Sequence, residues 1–418
     1  MPRNVVIMIV ASLGFFFVTA TTFTSLGYVL YTMVAELGWS KASAGLSFSL
    51  LGLACGLGSS LPPVVMKTMG TRLTMFAGCL VLASGFFLAS IIHHLSLFFL
   101  ATTLMGVGFS LVAPSPAVYL LATWFPKTSA RMIGFYFMAG AAGGIAGPLI
   151  VGAIVGTTGS WRLHWMVMMA LSLALGVLCL IGIRDAVKVE SVNQVKDAGS
   201  GGKSGARQSV WTVRQALASP TFVILAFAMT IVQTAVTTTH SLLVSHIANL
   251  GVGAAPGAIA MSLLALAGTA AKGFTGALSE RVDPKGLLVG GLALQSVAIA
   301  MLCAKGVLTA YAASLLFGAG WGLSWLSAHI LLLRYFGASI AGDMTAMATM
   351  ATTLAIFGPI AAGRVADTTG GFGAALLAFS ALLAIATLVT AFFLRPPILR
   401  EREIGTDLPG EADLVPAE

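Results

Sequence analysis

Residues 256–285 read PGAIAMSLLALAGTAAKGFTGALSERVDPK. As far as Ser279 the stretch is almost wholly apolar and long enough to cross a bilayer, which takes about 20 residues of helix. Glu280, Arg281, Asp283 and Lys285 then crowd a short charged loop. One residue breaks the apolar run. Lys272 stands roughly 12 Å along a helix from Glu280, about twice what a lysine stem spans, and a charge at that depth costs several kcal/mol unless it meets a partner or a watery cavity. The bland alternative is a tilted helix that lets the ammonium reach the interface.

The rest of the chain has the same character. Of 418 residues, 58% are hydrophobic and 9% charged, whereas soluble domains carry about a quarter charged residues. Apolar runs predict twelve spans, near 5–35, 42–66, 73–92, 96–123, 131–155 and 164–183, then 219–247, 254–279, 286–304, 307–333, 341–362 and 372–394. The fold class expected is an all-α membrane protein. The net charge of +8 does not point to nucleic acid. Lys41, Arg162, Lys305 and Arg364 fall on one side of the membrane, and nearly all the other basic residues, from Arg3 to Arg402, on the other. That is the bias of cytoplasmic loops, so both termini are expected in the cytoplasm, with the protein in an inner or plasma membrane.

The opening MPRNVVIMIVASLGFFFVTA imitates a signal peptide, but its apolar stretch runs on to Leu30 and reads as the first span. Cys55, Cys79, Cys179 and Cys303 fall in separate spans and predict neither disulfides nor a metal site. No cofactor is implied. The polar interval 184–214, with DAGSGGKSGARQ, cannot build a core and reads as a cytoplasmic linker between bundles at 1–183 and 215–394. Residues 395–418 read as a disordered cytoplasmic tail.

The two halves repeat each other. Trp124, Phe125, Gly147, Pro148 and Gly152 are answered by Tyr335, Phe336, Gly358, Pro359 and Gly363, each 211 positions later. The loop Pro63–Gly70 precedes the loop Gly276–Asp283 by 213 positions. A duplicated six-helix unit places a ligand site near the midplane between the repeats, reached alternately from each side, and transport is the function expected.

At this point a family resemblance becomes specific. The loop from Gly276 through Glu280, Arg281 and Asp283 to Lys285 resembles the cytoplasmic signature of the major facilitator superfamily. Its first-half copy is degenerate, with Pro63 in the glycine place and Lys67 where the acid is expected. Within that superfamily, Trp124-Phe125-Pro126-Lys127 through Arg131, and Ala271-Lys272-Gly273 followed by Gly276, resemble the monocarboxylate porters and the oxalate and formate exchangers. The resemblance implies that Lys272 binds a substrate carboxylate, in a place usually held by arginine. Lysine offers a point charge without a bidentate fork. Proton-coupled members carry an aspartate one turn earlier, where this chain has Gly268. Coupling is then either anion exchange or uniport, or proton symport with Lys272 itself carrying the proton.

Further candidates lie on polar stripes. Thr21, Thr24, Ser25 and Tyr28 share a face of the first helix, and Thr230, Gln233, Thr234, Thr237 and His240 a face of the seventh. Such stripes face a cavity or hydrogen-bond between helices. Trp321, Trp325 and His329 recur at spacings of four, and Trp325 is the residue expected on the substrate wall. Gly143 with Gly147-Pro148, and Gly358-Pro359, permit close approach and bending. Glu280, Arg281, Asp283 and Arg334 are expected to form a cytoplasmic charge network. The function expected is transport of a small organic anion, with protons as a candidate co-substrate and the protein acting as a monomer. Drug or amphiphile efflux and a non-transporting membrane sensor are the rivals. An enzyme is the least expected class, as the loops carry no metal cluster, nucleophile motif or phosphate loop, and GSGGKSG at 199–205 has no strand before it.

Overall fold

The computed structural model describes residues 2–125, 128–185, 211–279, 281–304, 306–337 and 340–397, with backbone alone for 129–131 and 341–343. Among the described residues, twelve helices are long and apolar enough to cross a membrane. The first six are α1 Arg3–Leu37, α2 Lys41–Gly58, α3 Leu61–Ile91, α4 Leu95–Trp124, α5 Met132–Thr158 and α6 Trp161–Gly182. The last six are α7 Pro220–Val252, α8 Ala255–Leu278, α9 Pro284–Met301, α10 Val307–Phe336, α11 Met344–Thr369 and α12 Gly373–Phe393. Most of the linker and tail expected at 184–214 and 395–418 lies outside the described residues, as does Glu280.

Short turns join the spans because their ends are written into the sequence. Gly38 closes α1 at φ 66° and Ser40 opens α2 by accepting the Ser43 N–H. Gly159 at φ 67° and Ser160 do the same between α5 and α6. One expected loop is not a loop. Residues 63–70 are helical, part of α3, which is interrupted at Gly70 (φ 77°, ψ 168°). Pro62 and Pro63 look like turn residues in sequence but occupy the first turn of a helix, where a missing N–H costs nothing.

The packing repeats as the sequence does. In the first six spans α3 lies on α4 and α6, α2 on α4, and α1 on α5; in the last six α9 lies on α10 and α12, α8 on α10, and α7 on α11. Between the halves, α2 packs on α11 and α5 on α8. Two hydrogen bonds mark these seams. Ser49 on α2 donates to the Ile356 carbonyl on α11 (2.5 Å), and Ser262 on α8 donates to the Ile145 carbonyl on α5 (2.7 Å). Ser262 follows Ser49 by 213 positions and Ile356 follows Ile145 by 211, the offsets already visible in the loops and in the Gly-Pro pairs. The duplication thus extends to single contacts.

The seams are tight on the side remote from the N-terminus. There a Cβ on Gly45 would run into the Pro359 carbonyl, one on Gly363 into Lys41 and Ala42, and one on Gly27 into the His240 carbonyl. Asp367 accepts the Lys41 and Ala42 backbone N–H groups at 2.9 and 3.0 Å. Toward the N-terminal side, by contrast, Gly56, Gly134, Gly273 and Gly276 face open space. The two halves are therefore closed together on the far side and parted on the side of the N-terminus.

Candidate functional site

The parted halves enclose a chamber of about 490 Å³. Its lower wall is built by α8 and α10, which approach closely because Gly318 and Gly322 leave room: a Cβ on Gly318 would meet the Leu264 carbonyl, and one on Gly322 the Lys272 backbone nitrogen at 2.9 Å. That closeness brings Lys272 onto Trp321. The ammonium lies 3.6 Å from the indole centroid, over the ring face, and both residues line the chamber. A ring face is the negative pole of an aromatic quadrupole and attracts a cation. The ammonium therefore has a partner that does not neutralise it.

His240 on α7 borders the same space, its ring 6.1 Å from Trp321 and nearly perpendicular to it. Its Nδ1 donates to the Val236 carbonyl at 2.8 Å, so the neutral ring leaves a lone pair on Nε2. Thr24 lines the chamber from α1, donating its hydroxyl to the Thr19 carbonyl at 3.0 Å. Lys272, His240 and Thr24, three of the residues singled out in sequence, thus share one cavity.

The others divide. Tyr28 is buried away from the chamber, its ring against Gly152 on the closed side. Gln233 and Thr237 line a second cavity of about 230 Å³ with Ser49 and Thr352, divided from the first by Phe23, which borders both. Trp325 is off the wall; it packs 5.1 Å from His329, and Trp321, one turn earlier, is the tryptophan that faces the chamber.

Much of the α1 stripe turns out to serve the backbone. The helix breaks at Thr22 (φ −101°, ψ −94°), and Thr21, Thr22, Thr24 and Ser25 donate their hydroxyls to the carbonyls of Phe17, Val18, Thr19 and Ala20. Broken backbone survives inside a membrane only where such donors reach it. Pro359 similarly cannot bond the Ala355 carbonyl four residues back, which receives the Thr237 hydroxyl at 3.4 Å. Gly147 lets α5 lie on the Ala20 carbonyl and Thr24, beside Pro148 inside the helix, and Gly358 lies on Thr238.

Of the residues expected in a cytoplasmic charge network, Glu280 lies outside the described residues, and Arg334 and Asp283 reach helix ends. Arg334 donates to the Ser279 carbonyl at the end of α8 (2.7 Å), and Asp283 caps α9 by accepting the Lys285 N–H (3.1 Å). Arg281 is exposed, and a Cβ on Gly276 would meet open space. Sequence reasoning passed over the chamber's aromatic lining of Phe15, Phe23, Phe109 and Phe137. Phe15, Thr19 and Phe23 recur every four residues, which is the signal that would have found two of them.

Residues 11–357 match the family model of the Major Facilitator Superfamily. The chain belongs to that superfamily. Among curated proteins it is similar to the uncharacterized transporter YycB of Bacillus subtilis (strain 168), with 26% identity over 358 residues, 83% of each chain. Among solved structures, the superfamily fold is shared with a bacterial homolog of the human lysosomal transporter Spinster in an inward-facing and occupied conformation (TM-score 0.78, 14% identity, 94% of this chain and 97% of that one). It is shared also with the nucleoside transporter NupG (TM-score 0.73, 15% identity, 94% and 98%) and a D-xylose-proton symporter (TM-score 0.71, 15% identity, 94% and 98%). This superfamily member is a multi-pass membrane transporter and not an enzyme.

Proposed function

We propose that this transporter moves small organic anions, monocarboxylates above all, by alternating access, with Lys272 as the cation that holds the carboxylate. The supporting observation is the Lys272 ammonium bordering the chamber between the halves at 3.6 Å from the Trp321 ring centroid. Among the described residues, the acidic side chains within spans are Glu36 and Asp367, both at the far-side ends, which leaves the anion as the counter-charge proposed for the lysine. The bundles 1–183 and 215–394 rock about the chamber as a monomer, joined by the linker 184–214. The basic loops support a cytoplasmic position for both termini and for the open face of the chamber. The resemblance of Trp124–Arg131 and Ala271–Gly276 to the monocarboxylate and oxalate–formate branch supports the same substrate class.

The test is uptake into proteoliposomes over a panel of labelled carboxylates at two pH values, with Lys272→Ala and Lys272→Arg beside the wild type. Loss in the alanine variant and retention in the arginine variant is the expected result. Acceleration by an inward proton gradient marks symport; acceleration by anion preloaded on the opposite side marks exchange. Transport of a cationic or neutral amphiphile that survives Lys272→Ala would instead make this an efflux pump.

A further inference from the structure

The wall that faces Lys272 is aromatic. Phe15 on α1 meets Phe137 on α5 edge to face, with centroids 5.7 Å apart. Phe23 on α1 meets Phe109 on α4 in the same way at 5.5 Å. All four rings line the chamber from the first half, opposite the ammonium, which lies over Trp321 on the second. Phe137 and Met138 are 47% and 64% exposed, so this apolar surface is open to whatever enters.

These features together constrain an occupant. Among the described residues lining the chamber, Lys272 is the one charged residue. A second carboxylate would be stripped of water there without a cation to meet it. While its ring is neutral, His240 does not serve, since its Nδ1 donates to the Val236 carbonyl and its Nε2 then accepts rather than donates. An acid of two or three carbons would satisfy the ammonium but leave most of a 490 Å³ space wet, room for on the order of fifteen waters at about 30 Å³ each. Water against apolar walls is the unfavourable filling. A flat ring is the favourable one, because its positive edge and negative face complement aromatic walls set at right angles to each other.

We infer that the substrate is an aromatic monocarboxylate, its carboxylate on Lys272 and its ring among Phe15, Phe23, Phe109 and Phe137. This rests on the assignment of Lys272 as the anion's ligand and adds what holds the other end of the molecule. Phe23, which also borders the second cavity, acts as the partition against which the ring stops.

Competition against labelled benzoate uptake in proteoliposomes of the full chain tests it. Acetate, butyrate, cyclohexanecarboxylate, phenylacetate, phthalate and the neutral benzamide serve as competitors. Benzoate and phenylacetate should compete at lower concentration than cyclohexanecarboxylate by about 2- to 12-fold, the range of aromatic pairing beyond area burial, and acetate more weakly still. Phthalate and benzamide should not compete. Phe23→Leu and Phe109→Leu should each reduce the preference for benzoate over cyclohexanecarboxylate. Equal competition by cyclohexanecarboxylate and benzoate, or strong competition by acetate, overturns the aromatic assignment; if Lys272→Gln still abolishes uptake of those acids, the anion reading survives alone. Carboxylate uptake untouched by Lys272→Gln, or no carboxylate uptake in the wild type, overturns both.

Discussion

The Trp321 indole fills the space that a side chain at Gly268 would need: a Cβ there would come within 2.9 Å of Cε3 of the ring. Gly268 lies one turn before Lys272, and its bareness is what allows the indole to lie against α8 and turn its face to the ammonium. Introducing an aspartate at this position should therefore not create a lysine–carboxylate pair at no cost. Gly268→Asp should displace the ring and lower stability by about 1–3 kcal/mol, as overpacking does, seen as a reduced Tm in detergent. Trp321→Ala combined with Gly268→Asp should be more stable than Gly268→Asp alone. A Gly268→Asp protein that melts with the wild type would show that the ring moves freely.

Gly45 and Gly143 both lie against a neighbouring helix, but the consequences of filling them differ. Gly143 backs on the Phe16 carbonyl within the first half, whereas Gly45 backs on the Pro359 carbonyl of the second. The Gly45 contact exists only while the far side is closed. Gly45→Val should hold the halves apart on that side and stop transport while leaving Tm nearly unchanged; Gly143→Val should lower Tm by the same overpacking cost of about 1–3 kcal/mol. Similar losses of Tm in the two variants would contradict the distinction.

The architecture was legible because a membrane leaves few options: long apolar runs must be helices, and the 211- and 213-residue offsets announced the duplication. The same offsets proved to connect Ser49 with Ile356 and Ser262 with Ile145. Lys272 was legible because a lone charge in an apolar run has few explanations. The aromatic wall was not, since Phe15 and Phe109 look like any lipid-facing phenylalanine until the break at Thr22 and the packing of α1 on α5 decide which face turns inward. Trp321 and Trp325 share a helix face at a spacing of four, and only the glycine-lined contact between α8 and α10 selects the first. Residues 63–70 were misread because two prolines mark a helix start as readily as a loop.

Asp367 links the halves through the exposed end of a helix. Its two carboxylate oxygens accept the Lys41 and Ala42 N–H groups, unpaired donors at the start of α2. Removing such a cap costs about 0.5–2 kcal/mol. Here the loss falls on the far-closed state alone, so Asp367→Ala should shift the balance toward the far-open state by roughly 2- to 30-fold. Spin labels introduced by Thr157→Cys and Val252→Cys, at the far ends of α5 and α7, should report a larger population at long distance. An unchanged distance distribution would remove Asp367 from the gate.

Asp185 does for the first half what the degenerate loop does not. Lys67 occupies the place of the signature's acid, and α3 must restart after Gly70 with an uncapped Thr71 N–H; Asp185, just beyond the end of α6, accepts that N–H at 2.7 Å. Gly70 at φ 77° and ψ 168° is in a region open essentially to glycine, and a Cβ there would also stand 2.5 Å from Oδ2 of Asp185. Gly70→Ala therefore carries two penalties, backbone strain of about 1–3 kcal/mol and the collision. Asp185→Ala alone should cost about 0.5–2 kcal/mol as a lost cap. Because it also removes the colliding oxygen, Gly70→Ala should be less harmful in the Asp185→Ala background than in the wild type. Thermal unfolding of the four proteins in detergent measures the coupling, and strictly additive shifts would mean that Asp185 and Gly70 do not act on the same turn.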